Sequence, residues 1–237
     1  AARHMHQYGT TRENLAEVAV AARKWAQMNP EATMRDPLTI EDVLSSKMVS
    51  DPLTVRDCCL VTDGAGAFVL VRADRAKNMK QKPVYVLGNS TACWNRQISS
   101  MQDLTVTAAQ QSGKIAFEMA GVKPSDIDVV EVYDAFTINT ILFLEDLGFC
   151  KKGEGGAFVS NGNIAPGGIL PVNTNGGGLS CVHPGMYGIF ILIEAVRQLR
   201  GSCGERQVNG AQLAVVHGNG GTLSSQSTAI LGTAETL

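Results

Sequence analysis

Apolar residues return at helical intervals in several stretches of the chain. Leu15, Val18, Ala19, Ala22, Trp25 and Ala26 fall on one face of a helix over residues 10–28. Thr10-Thr11-Arg12-Glu13 opens it with a capping hydroxyl and an acid in the first turn, and Asn29-Pro30 closes it. The same periodicity predicts a short helix at 40–46 and longer ones over 103–120, over Ala135–Leu147 and over Gly185–Leu199. Short apolar runs between them predict buried strands at 66–71, Val84–Leu87, Val129–Val132, Leu213–Val216 and Ser227–Leu231. Strands that alternate with helices in this way indicate an α/β protein.

Three polar stretches interrupt the pattern at element ends, where loop chemistry sits on a rigid scaffold. They are Val132-Tyr133-Asp134-Ala135-Phe136-Thr137, the run from Asn173 through Gly176-Gly177-Gly178 to His183-Pro184-Gly185, and Val216-His217-Gly218-Asn219-Gly220-Gly221. The loop over 153–178 is dense in glycine and proline, which implies a functional or well-anchored segment. The last glycine stretch reads as a turn after the 213–216 strand.

Composition adds mainly exclusions. Hydrophobic residues make up 44% of the 237, enough for a substantial core, and the net charge of −2 is built from intermixed signs. Neither nucleic acid nor an anionic membrane is indicated. The longest apolar run, Ile189–Ile193, is too short to span a bilayer. The cysteines lack Cys-x-x-Cys spacing and read as reduced thiols. With no secretion signal and no terminal Ser-Lys-Leu, a cytoplasmic location is expected. The histidines have no metal-ligand spacing, and the Gly176–Gly178 run lacks a P-loop lysine, so neither a metal site nor a nucleotide site is expected.

Several phrases together resemble the thiolase superfamily, above all its sterol-carrier-type and archaeal-type members and related acyltransferases. They are Glu131–Thr137, Glu145-Asp146-Leu147-Gly148-Phe149-Cys150, Leu170-Pro171-Val172-Asn173, His183-Pro184-Gly185 and Glu194–Gly201. The resemblance implies two similar βαβαβαββ halves stacked in five layers. Residues 1–77 then correspond to the end of a loop domain and the last part of the N-terminal half, which the 66–71 strand closes. Residues 78–237 correspond to the whole C-terminal half. The family's nucleophilic cysteine has no counterpart here, so the rest of the N-terminal half is an expected partner, and the chain alone is expected not to fold stably.

The resemblance also assigns candidate roles. His183 matches the histidine that contacts the nucleophilic cysteine and helps hold a thioester oxygen, and a neutral imidazole suits both tasks. Tyr133 stands where relatives have asparagine or histidine. It either orients substrate and moves a proton or is a buried strand-end tyrosine. Asp134 either orients the loop or caps the following helix. His217 stands where many thiolases carry a second, acid/base cysteine, so it either transfers protons or has become structural. Asn219 stands where a backbone N–H joins an oxyanion hole. Tyr187 lines the pocket or packs in the core. Cys181 is a poor nucleophile candidate, and Cys58 and Cys59 are expected in the core.

The implied activity is an acyl-CoA C-acyltransferase of thiolase type, with the coenzyme A thioester as substrate, no other cofactor, and a cysteine from outside these residues. Its setting would be lipid metabolism. A thiolase-like retro-aldolase on a steroid side-chain CoA ester is the alternative, and a non-catalytic scaffold subunit is a third. A homodimer or tetramer is expected, with a small OB-fold protein as a further possible partner.

Overall fold

The computed structural model describes all residues 1–237. Its N-terminal part carries α1 (Ala2–Tyr8), α2 (Arg12–Gln27), α3 (Ile40–Leu44), a small ribbon of β1 (Met48–Ser50) and β2 (Leu53–Thr54), and α4 (Ala73–Ala76). The main body follows with β3 (Tyr85–Cys93), α5 (Ala109–Ala120), β4 (Val129–Val132), α6 (Thr137–Asp146), α7 (Gly155–Val159), α8 (Gly188–Arg200), β5 (Leu213–Gly220) and β6 (Ser225–Gly232). The sheet order is β3-β6-β5-β4, with β4 and β5 parallel and the other pairs antiparallel. Val172 extends the β4 edge by a single parallel bridge to Val130. Counting that bridge as a strand, the order is βαβαβαββ.

Side-chain alternation divides the sheet between two cores. Val129, Ala214, Val216 and Leu231 face α8 and meet Tyr187, Ile191, Ala195 and Leu199. Val130, Val132, Val215 and Ile230 face the other way, onto α5 and α6. Gly88 lets α5 approach, since a Cβ there would collide with the Ala116 carbonyl. Outside α6 lies α2, opened by a capping box in which Thr11 Oγ1 accepts from Asn14 N and Asn14 Oδ1 accepts from Thr11 N. The Trp25 indole donates to the Ile164 carbonyl at 3.0 Å and ties α2 to the glycine-rich loop.

A second tie runs through a buried carboxylate. His4 Nε2 lies 3.0 Å from the Glu145 carboxylate, which also accepts from Gly153 N and Gly155 N and meets Lys152 Nζ at 3.0 Å. His4 and Glu145 are both buried. One α6 carboxylate thus fixes α1 and the start of the 153–178 loop.

Several sequence expectations are corrected. No strand forms at 66–71. Its backbone has no strand beside it to pair with, and Val69 and Leu70 are 87% and 74% exposed. Instead Gly64 and Gly66 rest on Phe190, Ile189 and Ile193 along α8. The strand expected at Val84–Leu87 starts at Tyr85 and runs on to Cys93 at the sheet edge, half exposed rather than buried. The helix expected from 103 starts at Ala109. The 217–221 stretch is not a turn up to Gly220, because β6 pairs with it through Ser225. Cys58 and Cys59 are half-buried, not core.

Candidate active site

The end of β4, the wide turn Gly177–Cys181 and the start of α8 converge on one cluster. Tyr133 and His183 meet edge to face with ring centroids 5.3 Å apart. Tyr187 stacks on His183 at 5.4 Å and meets Tyr133 edge to face at 5.4 Å. Tyr187 is fully buried, and its hydroxyl donates to Asn175 Oδ1 at 3.3 Å. Tyr187 is therefore a core side chain, with its ring stacked on His183.

Asp134 holds the turn in place. Its carboxylate accepts from Gly178 N at 2.6 Å and from Leu179 N at 3.3 Å. Asn175 Oδ1 takes Gly177 N at 2.7 Å. A Cβ on Gly178 would stand 2.7 Å from His183 Cδ2, so glycine is what lets the turn pass under the imidazole. Asp134 thus orients the loop, and the residue before α6 is Phe136. Burial raises the Asp134 pKa to about 7, against the two backbone donors and Asn173.

His183 is half-buried, its backbone N–H donates to Thr62 Oγ1 at 3.0 Å, and its Nε2 is buried without a partner. Burial lowers its pKa, so the ring is neutral at pH 7. Burial raises the Tyr133 pKa, which keeps the phenol protonated. The pair therefore offers a ring nitrogen free to accept a proton beside a hydroxyl able to give one.

His217 is placed differently. In the register Val132↔His217 its side chain points to the α6 face, away from the Tyr133 side. It is fully buried, tilted against Phe143 at 4.5 Å, with Nδ1 2.8 Å from Thr228 Oγ1 and Nε2 2.8 Å from Gln226 Oε1. Burial lowers its pKa to about 4. Asn219, half-buried on the same face, accepts from Gln226 Nε2 at 3.2 Å. The structure brings His183, Tyr133 and Tyr187 together but not the His217 ring.

The thiols near the cluster, half-buried Cys59 and buried Cys181, are held protonated. Burial raises Cys59 to about 11 and Cys181 to about 12. Under the cluster lies a buried acidic pair that sequence reasoning missed. Thr174 Oγ1 bridges Glu131 and Glu194 at 2.8 Å to each, and Arg206 clamps Glu194 at 2.9 and 3.0 Å. Burial, then the charge of Glu194, pushes the Glu131 pKa well up. No group of side chains has the makings of a metal site.

Residues 90–233 match the family model of thiolase C-terminal domain-like proteins. The chain belongs to the thiolase family. It is 45% identical over 224 residues to an acetyl-CoA acetyltransferase of Methanothermobacter thermautotrophicus, covering 94% of the chain and 58% of the relative. It is 37% identical over 213 residues to a 17-hydroxy-3-oxo-4-pregnene-20-carboxyl-CoA lyase of Mycobacterium tuberculosis, covering 85% of the chain and 53% of the relative. Among solved structures it superposes on the Ltp2-ChsH2(DUF35) aldolase with a TM-score of 0.92 at 34% identity, covering 100% of the chain and 62% of that one. This thiolase chain spans about half the length of the curated relatives it matches. The relatives it matches thus include an acetyltransferase, a lyase and an aldolase, and no helix here is long and apolar enough to cross a membrane.

Proposed function

We propose that this chain forms the C-terminal part of a thiolase-family lyase that cleaves the Cα–Cβ bond of a β-hydroxyacyl-CoA thioester by a retro-aldol step. The observation that carries this reading is the unpartnered His183 Nε2 beside the protonated Tyr133. In the proposed step, Nε2 takes the proton of the β-hydroxyl. The Cα–Cβ bond breaks, its electron pair passes to the thioester as an enolate, and an aldehyde or ketone leaves. Tyr133 gives its proton to Cα, and the imidazolium returns a proton to the phenolate. A base, an acid and a held carbonyl suffice, with no nucleophilic thiol and no cofactor beyond the substrate's own coenzyme A. Claisen-type thiolysis needs a further acid/base group, and His217 is not free to serve because both its ring nitrogens are engaged.

Acyl transfer is the second reading, favoured by the 45% identity to an acetyltransferase and by the phrase His183-Pro184-Gly185. A thiolate from outside residues 1–237 would then face Nε2. In either case an acyl-CoA substrate, the N-terminal thiolase half, a homodimer or tetramer, and an accessory chain like the DUF35 chain named with the Ltp2 aldolase belong to the proposal.

The deciding experiment incubates the complete protein with a β-hydroxyacyl-CoA, and separately with a 3-ketoacyl-CoA plus free coenzyme A. Products and intact protein mass are followed. Cleavage of the first substrate, lost in H183A and Y133F, with no acyl-enzyme, supports the lyase. A cysteine-bound acyl group and thiolysis of the second would replace it with the acyltransferase.

A further inference from the structure

The proposed proton transfers do not use the acidic pair beneath the cluster. Glu131 lies on β4 two positions before Tyr133, so both side chains fall on the α8 face. There Glu131 meets Glu194 of α8, with Thr174 between them, and all three are buried. Thr174 Oγ1 lies 2.8 Å from Glu131 Oε1 and 2.8 Å from Glu194 Oε1, and it accepts from Gln198 Nε2 at 2.9 Å. A hydroxyl has one hydrogen to give, so it satisfies one carboxylate only. The second carboxyl oxygen must bring a hydrogen of its own, or two sets of lone pairs would face each other at that distance. The pair therefore holds one proton.

The surrounding charges favour Glu131 as its holder. Arg206 is the cation that meets the pair, and its Nε and Nη2 donate to the two oxygens of Glu194 at 2.9 and 3.0 Å. Glu131 Oε2 is buried without a partner. The other titratable groups nearby are Asp134, Tyr187 and Cys203, and burial holds the phenol and the thiol protonated. Ionised Glu131 would strand a charge at Oε2, which costs far more than a neutral carboxyl there.

What this proton holds is the stem of the turn under His183. Asn173 takes a left-handed backbone with φ 52°, a conformation that needs pinning. Its Oδ1 accepts from Val132 N at 2.8 Å, and its N–H donates to the Val130 carbonyl at 2.9 Å. Thr174 N donates to Glu131 Oε1 at 3.0 Å. Asn175 Oδ1 then takes Gly177 N and the Tyr187 hydroxyl, and the chain enters the turn. A second charge on the pair would set the two carboxylates against each other across Thr174 and push it off this stem.

We propose that Glu131 and Glu194 share one proton through the Thr174 hydroxyl, and that Glu131, kept neutral in this way, is a positioning residue for the turn that carries His183. The inference concerns this chain's own turn and holds for either activity considered above. Two coupled carboxyls of this kind titrate as a pair, so a change at Glu194 must be felt at Glu131.

Two measurements on the complete protein test this. The infrared difference between wild type and E131Q at about pH 7 should contain the carbonyl stretch of a protonated carboxylic acid. E194Q leaves Arg206 without its counter-charge and frees the Thr174 hydrogen for Glu131, so Glu131 should ionise and the band should vanish. Turnover of a β-hydroxyacyl-CoA gives the second readout. E131Q keeps the shape and the charge count and should stay within about threefold of wild type. E131A should lose about 10²-fold in kcat, because the turn no longer holds His183 in place. A wild type without the band, a band that persists in E194Q, or E131Q failing as badly as E131A would overturn the proposal. If E131A unfolds, the infrared outcomes still decide it. Failure of the wild type to cleave a β-hydroxyacyl-CoA would remove the lyase reading and leave the infrared outcomes to decide this one.

Discussion

The two sides of the sheet handle histidine in opposite ways. On the α8 side His183 is half-buried, stacked on Tyr187, and keeps a ring nitrogen without a partner. On the α6 side His217 is sealed, with both nitrogens bonded at 2.8 Å. Burial lowers the pKa of each ring. The lowered pKa therefore does not separate a reactive histidine from a structural one. Unused hydrogen-bonding capacity does, because a buried polar atom without a partner costs stability that a substrate or neighbour can relieve.

Substitutions can break or sharpen that contrast. The largest effect is expected from H183A. Turnover should fall by about 10²–10⁴, the usual worth of an acid–base group, with little change in Tm. A Tm loss that matches the rate loss would erase the distinction. H217F should do the reverse, with about 2–4 kcal/mol of stability lost as Thr228 and Gln226 are left unpaired, read by denaturant unfolding. Its rate should fall far less than in H183A, because the His217 ring faces away from the Tyr133 side.

Asp134 comes next. Its pKa is raised on folding from an ordinary 3.8 to about 7, so the native state binds this proton more tightly than the unfolded chain. Stability from this group is full below 3.8 and is lost as pH rises through about 7. Wild-type Tm should decline over that window, and the decline should flatten in D134N. An equal slope in both would show that Asp134 does not titrate there. The smallest effect is expected for Y187F. It loses one long bond to Asn175, should cost less than about 1 kcal/mol in unfolding experiments, and should leave the ring stack with His183 intact.

How much of this was legible in the sequence follows from the range of the interactions. Helices α2, α6 and α8 and strands β4 to β6 were readable because their apolar spacing is local. Gly121, left-handed just after α5, is a local helix-stop signal too. The 66–71 run looks like a strand by the same criterion, yet a strand needs a neighbour, and none lies beside it. The neighbourhood of Tyr133, His183 and Tyr187 came from phrase resemblance, not spacing. The sealing of His217 was hidden because Ser112 lies more than a hundred positions away, and because Gln226 and Thr228 reach it only through the β5–β6 register. The His4–Glu145 contact, separated by 141 positions, had no local signal at all.

The bare stretch along α8 has a consequence for handling the molecule. Gly64-Ala65-Gly66-Ala67-Phe68-Val69-Leu70-Val71 is uncharged, lacks proline and ends in strong β-formers. Such a segment, exposed and unpaired, can stack with its own copies in cross-β fashion. At high concentration this polypeptide by itself should seed amyloid-like fibrils through that octapeptide. A single lysine in place of Val69, whose side chain faces solvent, should act as a gatekeeper and delay them.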